Sequence, residues 1–179
     1  MASIVRETRY KIIVAGDPEV GKTSIINRFN TKDFEKRYIA TVGFQISTTE
    51  VKIKDKDKIS LLIWDIAGQP QFHLIREKFY IGASGIIYVF DVCNRPSFYN
   101  IKNWVRESRR HVPGGIPCIL VGNKTDLKNN RVIIKPQANN LAEQLGFRYI
   151  ETSAKTGKNI KNLFHHLSKD IYKYYQKMI

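Results

Sequence analysis

Residues 16–23 read Gly-Asp-Pro-Glu-Val-Gly-Lys-Thr, a spacing of glycine, lysine and threonine that can hold phosphate groups. The glycines allow the loop to wrap so that backbone N–H groups point inward, and the helix that follows presents its partially positive N-terminus. In this pattern Lys22 reaches the β- and γ-phosphates, and the hydroxyl of Thr23 ligates Mg²⁺. The segment therefore predicts a site for nucleotide phosphates.

The sequence on either side supports this interpretation. Residues 10–15 form an apolar run typical of a buried strand, and residues 24–29 carry the first turns of a helical pattern. A phosphate loop requires this strand–loop–helix context, whereas a glycine-containing turn that fits the pattern by chance does not.

Further short motifs follow in chain order. They are Thr41 and residues 65–69 (Asp-Ile-Ala-Gly-Gln), 123–126 (Asn-Lys-Thr-Asp) and 152–155 (Thr-Ser-Ala-Lys). The motifs lie in loops after the carboxyl ends of predicted strands, where open α/β sheets bind ligands. We therefore expect them to converge on the phosphate loop.

With these motifs the chain resembles the Ras superfamily of small GTPases over nearly its whole length. Residues 34–43, 62–65 and 79–83 are most similar to the Rab branch, and residues 34–41 are also similar to the Ran branch. The resemblance implies a molecular switch that binds GTP and slowly hydrolyses it to GDP and phosphate with Mg²⁺. Its expected setting is membrane traffic or, for a soluble Ran-like protein, intracellular transport.

The resemblance also implies how guanine is selected. Asp126 would accept hydrogen bonds from the N1 and N2 donors of guanine, which adenine lacks. Asn123 would brace the loop, the stem of Lys124 would lie over the ring, and the Ala154 N–H would meet O6. Phe34 would cover the other edge of the base. We therefore expect GTP to be preferred over ATP.

The γ-phosphate chemistry is assigned in the same way. Thr23 and Thr41 would ligate Mg²⁺, Asp65 would hold a metal-bound water, Gly68 would contact the γ-phosphate and Gln69 would orient the attacking water. The residues expected to be catalytic are Gln69, Lys22 and Thr41. The residues expected to bind nucleotide are Asp17, Glu19, Val20, Gly21, Lys22, Thr23, Ser24, Phe34, Tyr38, Thr41, Gly68, Asn123, Lys124, Asp126, Leu127, Ser153, Ala154 and Lys155.

Loss of the γ-phosphate would remove the contacts of Thr41 and Gly68, so hydrolysis would release both loops. The implied partners are guanine nucleotide, an exchange factor, an activator and effector proteins that contact residues 36–47 and 66–80 of a monomer. Arg37 is interpreted as a surface residue, so an activator would supply the arginine that accelerates hydrolysis.

Two prolines depart from the family pattern. Pro18 lies inside the phosphate loop, where it fixes φ and lacks an N–H, and Pro70 restricts Gln69 toward extended conformations. We expect Pro18 to reduce the response to activators. Both prolines motivate an alternative, a GTP-binding scaffold with negligible hydrolysis.

Composition limits the other possibilities. The 179 residues are 42% hydrophobic, which suits one domain over residues 1–179. Without a long apolar run or a signal peptide, we expect a cytoplasmic protein, with Cys93 and Cys118 as reduced core residues. No cysteine follows Cys118, so either a lipidated tail is missing or the protein is not prenylated.

The net charge of +14 is concentrated in residues 101–179, which hold 15 of the 30 Lys and Arg but only 5 of the 16 Asp and Glu. Such a surface favours an anionic partner, either membrane lipid or nucleic acid, or is simply a solvated face. Nucleic acid is disfavoured because the sequence lacks aromatic base-stacking platforms. Peripheral membrane association through a further C-terminal tail is an expectation.

Alternating apolar runs and helical patterns predict the elements that position these motifs. The predicted strands are 10–15, 45–53, 59–65, 85–92, 116–122 and 147–151, and the predicted helices are 22–31, 97–111, 136–146 and 157–177. The short polar segment between the second and third strands predicts an antiparallel hairpin. The expected fold is an α/β three-layer P-loop NTPase, or G domain, with a six-stranded mostly parallel sheet and helices on both faces.

Overall fold

Six strands form one sheet in the computed structural model, which describes residues 8–31, 43–53 and 58–178. The strands are β1 (Thr8–Ala15), β2 (Phe44–Lys52), β3 (Lys58–Ile66), β4 (Gly85–Asp91), β5 (Cys118–Asn123) and β6 (Arg148–Glu151). Their order is β2-β3-β1-β4-β5-β6. The edge strand β2 is antiparallel to β3 and the other neighbours are parallel, which confirms the predicted hairpin pairing and sheet.

Helices cover both faces of this sheet. They are α1 (Lys22–Thr31), α2 (His73–Tyr80), α3 (Arg95–Tyr99), α4 (Ile101–Arg109), α5 (Lys135–Leu145) and α6 (Ile160–Gln176), with short 3-10 helices at Pro70–Phe72 and Lys128–Asn130. Successive side chains of β1 enter different cores because side chains alternate across a strand. Ile12 belongs to the core cluster that contains residues of α1 and α6, whereas Ile13 belongs to the cluster that contains residues of α4 and α5. The three-layer architecture is confirmed.

The central position of β1 determines where the loops meet. β1 lies between β3 and β4, and the parallel register pairs Val14 with Asp65. The carboxyl ends of β1, β4, β5 and β6 consequently face one edge of the sheet. The phosphate loop and the motifs at residues 123–126 and 152–155 all follow strands at that edge.

The predicted helix over residues 97–111 is wrong in its bounds and its continuity. The chain forms α3 and α4, which meet at Asn100. α3 begins earlier because the Asn94 side chain caps it by accepting from the N–H of Ser97, and Pro96 suits the first turn.

Helix α2 was not predicted at all. It has only eight residues, no side-chain cap at Phe72, and apolar residues such as Leu74 that are exposed rather than buried on one face. The helical periodicity that reveals a longer amphipathic helix is therefore missing. The bounds of the predicted strands agree with the structure to within two residues, and α6 begins at Ile160 rather than at residue 157.

Candidate functional site

The phosphate loop connects β1 to α1 with a backbone that requires glycine at two positions. Gly16 has φ of +150°, and a Cβ there would lie 2.2 Å from the carbonyl oxygen of Val89. Gly21 has φ of +98°, and its Cβ would lie 2.3 Å from Nδ2 of Asn123. The close approach of neighbouring loops therefore explains both glycines.

The Lys22 side chain lies inside this loop. It is only 6% exposed, and Nζ donates to the carbonyl oxygens of Gly16 at 2.9 Å and Asp17 at 2.7 Å. Burial lowers the pKa of Lys22 to about 8, although the charges of Asp65 and Asp17 oppose this shift. The loop thus encloses a desolvated cationic group beside its own backbone.

Thr23 and Asp65 meet at the start of α1. The Thr23 hydroxyl donates to Oδ2 of Asp65, which is 2% exposed near the end of β3. Hydroxyl and carboxylate oxygens are ligands that Mg²⁺ prefers, and Mg²⁺ commonly retains waters between itself and a carboxylate. The pair therefore has the chemistry of a magnesium site, directly beside Lys22.

Asn123 joins three loops with one buried side chain. Its Nδ2 donates to the carbonyl of Val20 at 3.0 Å, and its Oδ1 accepts from the Thr152 hydroxyl at 3.1 Å and the Ala154 N–H at 3.3 Å. Asn123 is 1% exposed. The phosphate loop and the two motifs of the C-terminal half are thus brought together as the sequence predicted.

The remaining predicted base-contacting residues surround this junction. Oδ1 of Asp126 accepts from the Ser153 hydroxyl at 2.6 Å, and Nζ of Lys124 lies 2.7 Å from Oδ2 of Asp91. Lys155 and Leu127 are exposed near them. Ser153 therefore orients the carboxylate of Asp126, and Asp91 holds the ammonium group of Lys124.

Residues 68 and 69 pack against the phosphate loop from the other side. A Cβ on Gly68 would lie 2.5 Å from the Pro18 nitrogen and 2.6 Å from the Gly16 carbonyl oxygen, so the two backbones touch. Gln69 follows with a partly buried side chain, and Pro70 begins the 3-10 helix that leads into α2. The geometry brings Gln69 next to the loop that holds Lys22.

The remaining residues of the predicted site fall into two groups. Glu19 and Ser24 lie in the loop and the first turn of α1, with Glu19 exposed and at φ of +65°. Phe34, Tyr38 and Thr41 lie outside the described residues.

Sequence reasoning missed three side chains that support the site, which are Asn100 and Trp104 at the start of α4 and Arg76 in α2. Asp17 Oδ1 accepts from Nδ2 of Asn100 at 2.5 Å and from Nε1 of Trp104 at 2.7 Å. Arg76 donates to the Gln69 carbonyl at 2.9 Å. No motif could have revealed these contacts, because the partners of Asp17 are more than 80 positions away along the chain.

The comparison with known families agrees with this arrangement. The sequence model of the Ras family matches residues 11–173. The chain belongs to the Ras family of small GTPases. The match spans the phosphate loop, the motifs at residues 123–126 and 152–155 and nearly all of α6.

Comparison with individual relatives shows which branch of the Ras superfamily this chain belongs to. Ras-related protein Rab-13 of Mesocricetus auratus is 40% identical over 162 residues, covering 90% of this chain and 79% of the relative. Ras-related protein Rab-8B of Homo sapiens is 40% identical over 164 residues, covering 90% and 78%. Ras-related protein Rab-10 of Diplobatis ommata is 38% identical over 171 residues, covering 96% and 85%. This small GTPase is therefore of the Rab branch.

The two cysteines and the lengths of the helices bear on two further expectations. Cys93 and Cys118 are free thiols, and both are partly buried side chains that pack against the core rather than fully buried ones. In the part of the chain that the structure describes, no helix is long and apolar enough to cross a membrane.

Proposed function

We propose that this Rab-branch GTPase is a single-domain switch that binds GTP and GDP with Mg²⁺, hydrolyses GTP slowly and recruits effectors in the GTP state. The observation that carries the proposal is the junction at Asn123. A single buried amide joins the carbonyl of Val20 in the phosphate loop to Thr152 and Ala154. Phosphate and base recognition are thereby held at a fixed separation.

Base selection rests on Asp126 and Ala154. The Asp126 carboxylate, oriented by Ser153, accepts from the N1 and N2 donors of guanine, and the Ala154 N–H shares its donor between Asn123 Oδ1 and O6. Adenine offers neither donor at these positions, so the carboxylate would be left unpaired against it. Lys124, Lys155, Leu127 and the undescribed Phe34 complete the proposed base site.

Phosphate binding rests on the loop around Lys22. Nζ exchanges its bonds to loop carbonyls for phosphate oxygens, and the N–H groups of Asp17, Glu19, Val20, Gly21, Thr23 and Ser24 face the phosphates. Thr23 and Thr41 would hold Mg²⁺, and Asp65 would act through a water. The bound ion supplies charge neutralisation at the β- and γ-phosphates. Tyr38, like Thr41, belongs to the proposed site and lies outside the described residues.

Hydrolysis rests on Gln69. Gly68 contacts the γ-phosphate, and Gln69 orients the attacking water, while Lys22 and Thr41 neutralise the developing charge. In this proposal an activator protein supplies the arginine that stabilises the transition state, so intrinsic turnover is slow and the activator accelerates it by roughly 10³ to 10⁵.

Effector binding is supported by apolar surface beside the γ-phosphate loops. Leu74 is 78% exposed, and Phe44 is 42% exposed while its ring lies 4.6 Å from that of Phe79 and 5.4 Å from that of Trp64. Exposed aromatic and apolar residues of this kind commonly anchor protein interfaces. Loss of the γ-phosphate would reposition this surface.

The proposed cellular role is supported by the Rab relatives and by the positive charge of α6. Relatives named Rab support a role in membrane traffic with an exchange factor, an activator and effectors, and we expect a monomer. The exposed lysines of α6 support contact with an anionic membrane surface as a peripheral protein of the cytoplasm, Lys169 and Lys173 among them. Nucleic acid is not proposed as a partner.

Single-turnover hydrolysis of bound GTP tests the proposal. Gln69→Leu should lower the rate at least tenfold, whereas Gln71→Leu, a matched change at an exposed neighbour, should leave it unchanged. Equal rates in wild type and Gln69→Leu would instead favour the second candidate, a GTP-binding scaffold, which Pro18 and Pro70 motivate. Competition of GTP against ATP completes the test, because Asp126→Ala should abolish the preference for guanine.

Pro18 is tested separately. It is exposed on the phosphate loop, with its nitrogen next to Gly68. Its ring occupies space near Gln69 that an activator's arginine must enter, so Pro18→Gly should increase activator-stimulated hydrolysis. Equal stimulation of the wild type and the variant would remove this assignment.

A further inference from the structure

Arg76 is a buried cation that belongs to none of the predicted motifs. It lies in α2 and is 5% exposed, and its guanidinium contacts a backbone carbonyl, a carboxylate and an aromatic ring. Nη1 donates to the backbone carbonyl of Gln69 at 2.9 Å. Nε and Nη2 donate to the two carboxylate oxygens of Glu107 at 3.1 and 3.2 Å, and the planar group lies 4.5 Å from the centre of the Trp104 ring.

Glu107 is itself fixed in place. Its Oε1 also accepts from the Tyr80 hydroxyl at 3.2 Å. Burial raises the pKa of Tyr80 well above its ordinary value, and the charge of Glu107 adds to this, so the hydroxyl stays protonated and donates. A bidentate arginine–carboxylate pair with a further donor has little freedom to rotate.

The helix that carries Glu107 also supports the phosphate loop. Trp104 lies in α4 with Glu107, and its Nε1 donates to Asp17 of the loop while its ring face contacts Arg76. Arg76 therefore connects the carbonyl of Gln69 to the same helix that positions Asp17. Side chains of α4 therefore contact both Asp17 of the phosphate loop and Arg76, the α2 residue that binds the Gln69 carbonyl.

The Gln69 carbonyl accepts from the Phe72 N–H at 3.2 Å as well as from Arg76, so a local turn and a side chain of α2 both hold it. Gly68 on one side rests against the phosphate-loop backbone, and Pro70 on the other has a fixed φ and no N–H. Pro70 also restricts the backbone of Gln69. Among the described residues, Oε1 of Gln69 has no hydrogen-bond partner, whereas the backbone carbonyl of the same residue is held by Arg76.

We propose that Arg76 is a positioning residue for GTP hydrolysis, holding the Gln69 backbone so that its side chain reaches the attacking water. This inference rests on the proposed role of Gln69. Arg76 acts through Gln69 and not on the phosphate, because its guanidinium is already occupied by Glu107 and by the Gln69 carbonyl. Positioning effects of this type are large, since a displacement of about 1 Å can cost roughly 100-fold in rate.

The test compares variants of Arg76 in two backgrounds. Arg76→Met removes the donors but keeps much of the packing, and Arg76→Lys keeps the charge beside Glu107 but loses the planar fork. Arg106→Met removes an exposed arginine from the same helix as Glu107 and serves as the matched control. Single-turnover GTP hydrolysis, the GDP dissociation rate and the melting temperature are measured for each full-length protein.

Arg76→Met should lower the hydrolysis rate about tenfold while the GDP dissociation rate changes less than about threefold, and Arg76→Lys should recover part of the rate. Arg106→Met should hydrolyse GTP at the wild-type rate. In the Gln69→Leu background, Arg76→Met should cause no further loss, because the two residues act as one unit. If the role of Arg76 were merely structural, the GDP dissociation rate would rise and the melting temperature would fall together with the hydrolysis rate.

Two results overturn the inference. One is wild-type hydrolysis in both Arg76 variants, and the other is an equal loss from Arg76→Met with and without Gln69. If Arg76→Met is too unstable to purify, the hydrolysis rate of Arg76→Lys alone tests the inference, since this variant preserves the buried charge pair. Failure of the proposed function is distinguishable, because Gln69→Leu would then hydrolyse GTP like the wild type, whereas failure of this inference alone leaves Gln69→Leu slow.

Discussion

Nε1 of Trp104 donates a hydrogen bond of 2.7 Å to Oδ1 of Asp17, linking α4 to the phosphate loop across 87 positions of sequence. Asn100 donates to the same oxygen at 2.5 Å. The Asp17 carboxylate is thus held toward α4, while its backbone carbonyl accepts from Lys22. The loop that is proposed to bind phosphate is therefore shaped by a neighbouring helix as well as by its own glycines.

Trp104→Phe tests this link. Phenylalanine keeps an aromatic ring at this position but loses the donor to Asp17, and hydrogen bonds to charged groups contribute about 1.5–3 kcal/mol. We expect the free energy of unfolding to fall by about 1–2 kcal/mol and GDP to dissociate several times faster, measured by urea unfolding and by release of a fluorescent nucleotide. Trp64→Phe is the control, since Nε1 of Trp64 has no hydrogen-bond partner among the described residues. An equal effect of both substitutions would contradict the prediction.

Glu19→Gly should stabilise the protein. Glu19 has φ of +65°, a left-handed conformation that costs a residue with a side chain roughly 1 kcal/mol or more and glycine almost nothing. We expect the melting temperature to rise by a few degrees. Lys124→Gly provides the contrast. Lys124 has φ of +69°, but its replacement removes the contact with Asp91, so this variant should not have a raised melting temperature. A decrease with Glu19→Gly would contradict this account.

The sequence predicted those parts of the molecule that are encoded locally. Buried strands such as β4 are continuous apolar runs, and the spacing of glycines and lysine predicts the phosphate loop. Helix α2 escaped prediction because Leu74 and Ile75 are exposed and give it no apolar face. The contact between Arg76 and Glu107 escaped because nothing in either local sequence marks the other as its partner.

Cys118 should react slowly with alkylating reagents. Burial raises the pKa of its thiol to about 12, so the reactive thiolate is a very small fraction at pH 8. The rate of modification by iodoacetamide should increase about tenfold per pH unit between pH 7 and 9, as measured by mass spectrometry of the Cys118 peptide. The control is the same peptide in urea-unfolded protein, which should react much faster. A folded-state rate equal to the unfolded rate would show that the thiol is not protected.

Arg131→Met should make the protein more sensitive to acid. Burial of Glu151 favours its neutral form, but hydrogen bonds and charge from Arg131, together with the Tyr149 hydroxyl, outweigh burial and lower its pKa below the ordinary 4.5. A carboxylate whose pKa is lowered by folding adds stability that is present above its unfolded pKa and is lost as the pH falls through the folded value. Without Arg131, burial would dominate and raise the pKa of Glu151, so the loss should begin at higher pH.

The free energy of unfolding measured by urea between pH 3 and 6 checks this prediction. Arg148→Met is the matched control, because Arg148 pairs with Asp170 at 3.6 Å in a more exposed position where ion pairs contribute little. Its pH profile should follow the wild type. Since Glu151 ends β6 directly before Thr152 and Ser153, Arg131→Met should also weaken GDP binding as the pH is lowered. Parallel pH profiles for wild type and Arg131→Met would show that this arginine does not control the ionisation of Glu151.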